Sequence, residues 1–255
     1  MVSVIIPAYN CEKFIGQAID SVMNQDTEED IELLIIDDGS KDGTRNVVQS
    51  YMNQYANLAA TGSMRSISYH SNGKNLGVAE TRNAGIRAAQ GEYIAFLDAD
   101  DWWSKDKIKK QLALLREKEA VLVFSARELM QPDGSSTGKI VAVPEKATYN
   151  ALLRTNCIPC SSVLMKTEVA REFYMCHDEL HEDYILWLKV LQKYKKAYGV
   201  NEPLLKSRLS AGGKSRNKLK SAKMHYGVYK YMGIPKWKAA WLFVCYAVNG
   251  VKKYR

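Results

Sequence analysis

The chain has 255 residues, 46% apolar and 25% charged, enough for one large hydrophobic core or two modest ones, which excludes a low-complexity or disordered chain. Its net charge of +8 is unevenly spread: residues 206–255 carry 13 Lys plus Arg and no Asp or Glu, leaving 23 basic against 28 acidic groups, or −5, in residues 1–205. No apolar run reaches the roughly 18–20 residues of a membrane-spanning helix, the nearest being residues 239–248.

Five cysteines, Cys11, Cys157, Cys160, Cys176 and Cys245, occur with no leader-like segment ahead of the first strand pattern. An odd number in that context implies a reducing compartment, and a cytoplasmic location is expected. The Cys157-Ile158-Pro159-Cys160 pair has no second pair at zinc spacing, so these thiols read as structural.

Residues 2–6, Val2-Ser3-Val4-Ile5-Ile6, form a run rich in β-branched residues ended by Pro7, the pattern of a strand buried on both faces of a parallel sheet. A helix is predicted over residues 12–25, with Asn10 available as its cap. The strand-then-helix alternation recurs at 31–36 and 43–55, at 66–69 and 78–89, and at 93–97 and 105–117. Four such units predict an α/β fold with a largely parallel sheet covered by helices. After residue 119 the alternation gives way to short strand patterns at 121–125, 140–143 and 162–165, with a Pro-Asp-Gly turn at Pro132, predicting a mixed-sheet half. Helical patterning returns at 184–193 and from 218 onward.

In such sheets ligands bind beyond the carboxyl ends of the strands. The loops there are Pro7-Ala8-Tyr9-Asn10, Asp37-Asp38-Gly39-Ser40, Asn72-Gly73-Lys74-Asn75 and Asp98-Ala99-Asp100-Asp101. Alternate carboxylates on one short turn, Asp98 and Asp100, suit a hard divalent cation bound through oxygen; capping of the next helix by Asp101 or Ser104 is the competing reading. Asp37 and Asp38 sit where a base or ribose could donate to them, or they form a solvated turn. His181-Glu182-Asp183 precedes an apolar helical start. Its carboxylates suit either a general base in the cleft or a helix dipole alone.

Taken together, Val4-Ile5-Ile6-Pro7-Ala8-Tyr9-Asn10, Asp37-Asp38-Gly39-Ser40-Lys41-Asp42-Gly43-Thr44, Arg82-Asn83-Ala84-Gly85-Ile86, Gly91-Glu92-Tyr93-Ile94-Ala95-Phe96-Leu97-Asp98-Ala99-Asp100-Asp101 and Glu182-Asp183 resemble glycosyltransferase family 2. Five motifs in register over about residues 2–210 make the resemblance specific. It implies a GT-A (Rossmann-like) fold and an inverting, metal-dependent transferase that uses a nucleotide-diphosphate sugar, a UDP-sugar being expected, with Mn²⁺ or Mg²⁺. The acceptor it implies is a saccharide hydroxyl, with a polyprenyl-diphosphate-linked saccharide of surface polysaccharide synthesis expected. It also implies that Pro7, Ala8, Tyr9 and Asp38 contact the nucleoside, that Lys74, Asp98 and Ala99 meet the nucleotide, that Asp98 and Asp100 hold the metal, and that Asp183 is the base with Glu182 beside the acceptor. Arg82 and Asn83 are either nucleotide-proximal or structural.

The expected organisation is a catalytic domain over residues 1–210, with a nucleotide-binding half at about 1–118 and an acceptor-facing half at about 119–210, followed by a basic aromatic helical tail at 211–255. Residues 208–215 form a Gly-rich basic loop, either a flap over the diphosphate or a linker. The tail interleaves its charges with Tyr226, Tyr229, Tyr231, Trp237, Trp241, Phe243 and Tyr246, a composition suited to an anionic membrane surface. The protein is thus expected at the inner face of the cell membrane, with the tail separable from donor hydrolysis; monomer and oligomer are both compatible with the sequence. Nucleic-acid binding has no supporting motif. Competing functions are a noncatalytic binding or scaffold subunit, which Asp98, Asp100 and Asp183 argue against, and a sugar-phosphate nucleotidylyltransferase, which lacks its Gly-rich basic loop after the first strand. A dinucleotide oxidoreductase lacks G-x-G-x-x-G.

Overall fold

The computed structural model describes residues 1–56, 65–209 and 218–253. Its first half is the expected alternation: β1 (Val2–Ala8), α1 (Ile15–Met23), β2 (Ile31–Asp37), α2 (Thr44–Ala56), β3 (Arg65–Ser71), α3 (Val78–Ala88), β4 (Tyr93–Phe96), β5 (Trp102–Trp103) and α4 (Lys107–Glu117). The second half comprises β6 (Leu122–Met130), β7 (Ser136–Val141), β8 (Lys146–Thr148), α5 (Tyr149–Arg154), a 3-10 turn at Cys160–Ser162, β9 (Leu164–Lys166), α6 (Thr167–Phe173), α7 (Glu182–Tyr194) and β10 (Lys196–Arg208). Helices α8 (Lys218–Tyr231) and α9 (Lys236–Lys253) complete the described chain.

All described strands join one sheet ordered β3-β2-β1-β4-β9-β6-β10-β5, with β7 on β6 and β8 on β10. Strands β3, β2, β1 and β4 run parallel, β9 is inserted antiparallel, and β6 and β10 are again parallel to one another. This is the mixed, largely parallel sheet expected. Because side chains alternate across a strand, Ile5, Leu34 and Ile36 enter one core with α3, α5 and α7, while Val4, Ile6, Leu33 and Ile35 enter the other with α1 and α4. Full burial of each such side chain contributes about 1.5–3 kcal/mol.

Three expectations are corrected. Asn10 does not cap a helix: it has a positive φ of 48°, its side chain accepts from Lys41 N at 2.8 Å, and α1 starts only at Ile15. Neither Asp101 nor Ser104 caps α4, which begins at Lys107 without a side-chain cap. The longest strand, β10, went unpredicted, because Pro203 and a bulge between Val200 and Leu205 break its alternation.

The last two helices are built into the core rather than appended to it. Val228 and Tyr229 of α8 and Ala239 and Leu242 of α9 lie in the same buried cluster as Ile5 and Trp187. Helix α8 passes so close to Leu180 that a Cβ on Gly227 would lie 2.6 Å from Leu180 Cδ2 and the leucine side chain would have to shift to admit it. His225 is sandwiched between the rings of Tyr184 and Tyr246, at 4.8 and 3.7 Å. Of the tail aromatics, Tyr229 is therefore core, Phe243 and Tyr246 are half-buried, and Trp237 and Trp241 remain exposed.

Candidate active site

The strand-end loops meet at the carboxyl edge of β1, β2 and β4. Asp38 N donates to Ala8 O at 2.8 Å, tying the first two loops together. Asp38 itself is buried, and its carboxylate accepts from Asn72 Nδ2 at 2.9 Å, Leu76 N at 2.8 Å and Gly77 N at 2.9 Å. Three of about four acceptor positions are thus taken by protein donors, and the 72–77 loop carrying exposed Lys74 is held against β2. Asp37 is buried as well, accepting from Tyr69 Oη at 2.7 Å and Ser40 Oγ at 2.5 Å. Directly after them, Gly39 has φ +79° and runs so close to the Lys74 backbone that a Cβ there would lie 2.9 Å from it. Tyr9 is half exposed and Ala8 is buried beneath it.

The second acidic loop is built differently. Asp98 N donates to Ser161 Oγ at 3.1 Å, and Asp101 N closes the turn onto Asp98 O at 3.0 Å. Asp98 and Asp100 are partly exposed, while Ala99 and Asp101 are buried. Burial first, and then the charges of Asp98 and Asp100, push the Asp101 carboxyl well above the usual carboxylate range. From the end of β10, Arg208 braces this loop: its N donates to Asp101 Oδ1 at 2.9 Å and its Nε to Asp100 O at 3.0 Å. The guanidinium also reaches Pro132 O and Gln17 Oε1, both at 2.7 Å, between the Phe14 and Trp102 rings. Arg208 therefore supports the loop from behind. The rest of the Gly-rich basic segment, residues 210–217, lies outside the described residues.

Arg82 of α3 joins this loop to the start of α7. Its side chain is only 5% exposed, and it bridges Asp98 Oδ1 at 2.6 Å and Glu182 Oε1 at 2.8 Å. Glu182 is buried in that pair, whereas Asp183 is half-buried and accepts from Tyr184 N at 2.7 Å. Burial and then the Glu182 charge push the Asp183 carboxyl up to about 6, with Arg82 and His181 pulling the other way. One carboxylate of the pair is thus neutralised by an arginine, and its neighbour titrates close to neutrality. Asn83, next to Arg82, exchanges two 2.8 Å hydrogen bonds with the Met175 backbone and fixes the segment leading to α7; its role is structural.

The far side of that segment rests on α8. His181, immediately before Glu182, approaches Ser221 O with Nε2 at 3.2 Å, and His177 packs its ring 4.3 Å from Tyr231. Burial pushes His225 down to about 3, so it remains neutral beneath Tyr184. The acids of α7 are held by α3 in front and α8 behind.

The structure thus joins Asp98 to Glu182 through Arg82, with Asp100 and Asp183 beside them in the chain, and places Pro7 and Ala8 at the end of strand β1 rather than on a loop, with Tyr9, Asp38 and Lys74 on the loops beyond β1, β2 and β3. The sequence leaves the role of Arg82 open, offers Arg208 only as the start of a flap or linker, and does not mark Ser161; the partners of all three lie far away in the chain.

Comparison with known proteins agrees with this architecture. The model of "Glycosyl transferase family 2" matches residues 3–165. TuaG of Bacillus subtilis (strain 168), named for a glycosyltransferase role in teichuronic acid biosynthesis, is 37% identical over 99% of this chain and 97% of its own length. The Escherichia coli UDP-Glc:alpha-D-GlcNAc-diphosphoundecaprenol beta-1,3-glucosyltransferase WfaP is 34% identical over 100% of this chain and 95% of its own. Among solved structures, S. aureus TarS 1–349 in complex with UDP-GlcNAc superposes with a TM-score of 0.69 at 19% identity, covering 91% of this chain and 65% of that one. The mannosyltransferase PcManGT from Pyrobaculum calidifontis, in complex with GDP-Man and Mn²⁺, gives 0.69 at 20% identity over 92% of this chain and 65% of that one. The structural likenesses establish the GT-A fold, and the family match over residues 3–165 together with whole-length relatives shows that this chain belongs to glycosyl transferase family 2.

Proposed function

We propose that this glycosyltransferase moves a sugar from a UDP-sugar to a saccharide hydroxyl on a polyprenyl diphosphate, with inversion, at the inner face of an anionic membrane during surface-polysaccharide synthesis. The catalytic residues come from 1–210, with the nucleotide half at 1–118 and the acceptor half at 119–210, and α8 and α9 pack into the same core. The observation that carries the reading is the Arg82 bridge, which ties the Asp98 loop to the helix that begins Glu182-Asp183. Asp183, titrating near 6, accepts the proton of the acceptor hydroxyl as its oxygen bonds to the anomeric carbon and the bond to the diphosphate breaks. A base poised near the working pH suits that step. Glu182 acts through Arg82 as a positioning group. Pro7, Ala8 and Tyr9 face the nucleoside, Asp38 holds the Lys74 loop over it, and Lys74 meets the diphosphate beside Asp98 and Ala99.

The crowded oxygens of the Asp98 loop, with Asp101 unable to ionise easily, fit a hard divalent cation held by Asp98 and Asp100. Bound Mn²⁺ or Mg²⁺ supplies charge neutralisation of the leaving diphosphate. The lipid-linked acceptor draws on WfaP, whose name specifies a diphosphoundecaprenol-linked sugar, and the UDP donor on WfaP and on TarS with UDP-GlcNAc. Turnover of UDP-, GDP- and dTDP-sugars with and without Mn²⁺, on polyprenyl-diphosphate-linked acceptors, tests the reading. Metal-dependent transfer from a UDP-sugar is expected; metal-independent turnover, or preference for a soluble acceptor alone, would overturn it in part or whole.

A further inference from the structure

Helix α9 has two apolar faces. Ala239 and Leu242 face the core, and Phe243 and Tyr246 are half-buried beside them. On the other side, Trp237 is 77% exposed, Trp241 52%, Val244 61% and Val248 50%. These four are spaced by four, three and four residues, the repeat that aligns side chains along one side of a helix. They form one continuous stripe. Trp241, Val244 and Val248 also line a shallow groove with Arg154, Cys245 and Asn249. The helix is 18 residues long, about 27 Å at 1.5 Å per residue, yet no described helix is long and apolar enough to cross a membrane.

Phe243, which the sequence alone sets beside the tryptophans, turns instead toward Tyr226, 6.0 Å away ring to ring. Val248 takes its place on the free face. The stripe is therefore defined by how α9 packs, and composition alone does not mark it.

We propose that this stripe is the docking face for an anionic lipid bilayer, on which α9 lies in the interfacial plane. The proposal deepens the reading of a lipid-linked acceptor by naming the surface that meets the membrane. Charge identifies the occupant. Residues 206–255 contain no acidic group, Lys230 and Lys236 are exposed, and the Arg154 guanidinium lies 5.4 Å from the Trp241 ring at the stripe's edge. An apolar face edged by cations and carrying tryptophan suits the headgroup boundary of an anionic leaflet. A second copy of this chain is the less suitable occupant, because a twofold contact through the stripe would set two basic tails against each other.

The test uses the full chain and Trp237→Ala/Trp241→Ala, with vesicles of pure phosphatidylcholine or of phosphatidylcholine with phosphatidylglycerol. Wild type is expected to sediment with the anionic vesicles only, to be released as salt rises, and to lose at least tenfold in vesicle affinity on the double substitution. Donor hydrolysis to water, which needs no membrane, should be the same in both proteins; this confirms that the variant folds and separates failure of docking from failure of the glycosyltransfer reading. Indifference of wild type to anionic vesicles in low salt, or equal binding by the two proteins, would overturn the proposal. So would a concentration-dependent dimer in light scattering that the double variant abolishes, since the stripe would then be a self-association surface.

Discussion

Two acidic loops lie at the ends of β2 and β4, on either side of β1, and read alike in the sequence, Asp37-Asp38-Gly39 and Asp98-Ala99-Asp100-Asp101, yet the fold treats them in opposite ways. In the first, the side chains of Tyr69, Ser40 and Asn72 and the backbone amides of Ser40, Leu76 and Gly77 occupy the carboxylate oxygens. In the second, three carboxylates crowd together, Asp101 is pushed toward its neutral form, and the buried Arg82 side chain pairs with Asp98. The difference teaches that satisfied carboxylates build a site, whereas electrostatic strain marks where a charged ligand belongs. Glu182 and Asp183 repeat the division within one dipeptide, since the first is paired and the second is left to titrate.

The largest effect that separates the two kinds of acid is expected at Asp183. Asp183→Asn should lower kcat by roughly 10²–10⁴ with donor affinity unchanged, the signature of a lost general base. In wild type the rate should climb about tenfold per pH unit below about 6 and level off above it, since only the carboxylate accepts a proton. The sign for stability is opposite. A carboxyl that holds its proton more tightly when folded favours the fold at low pH, and that contribution is lost as pH rises from about 4 through 6. Thermal melts of Asp183→Asn should therefore gain on wild type over that window, and a variant with normal kcat and an unmoved pH profile would refute the assignment.

Next in size is Arg82→Met. Removing the cation leaves Glu182 buried without its partner, and breaking a buried pair costs about 3–5 kcal/mol. Asp38→Asn should cost less, about 1–3 kcal/mol, because it replaces one acceptor oxygen with an amine that faces N–H donors. Denaturant titration of both variants measures the comparison directly. Equal losses would mean that the two loops do not differ in kind.

The parts of this picture that were legible in the sequence are those written locally. Residues 2–6, 31–36 and 93–97 are short, mainly apolar runs rich in strand-forming residues, and each leads into a polar loop at the ligand edge. The metal and base candidates were visible because Asp98-Ala99-Asp100 and Glu182-Asp183 are compact motifs. Arg82 was not, since its partners lie 16 and 100 residues away and nothing local distinguishes a bridging arginine from a solvated one. Strand β10 was hidden by Pro203 and its bulge, and Arg208 with it. The tail illustrates the same limit: its aromatics are alike in the sequence, and only the packing of α8 and α9 sorts Tyr229 inward from Trp237 outward.

The smallest effect expected concerns that tail, and it sharpens the comparison between acids that are held and acids that act. Composition suggests an anchor separable from catalysis, but the segment carrying Glu182 and Asp183 is braced by α8. His181 Nε2 meets Ser221 O at 3.2 Å, Leu180 fills the space above Gly227, and Tyr184 stacks on His225. His181→Ala removes one hydrogen bond, worth about 1 kcal/mol net, and a nearby group whose charge lowers the Asp183 carboxyl. The expected result is a kcat reduced several-fold, an acidic limb displaced to higher pH, and an unchanged donor KM. A purely structural role for His181 would lower the yield of folded protein without moving the limb. Deleting residues 218–255 should do far more, because it unseats α7 altogether; if the shortened chain still hydrolysed donor at the wild-type rate with the wild-type pH profile, α8 would be only a cover on the core, and the base would be positioned by Arg82 and α3 alone.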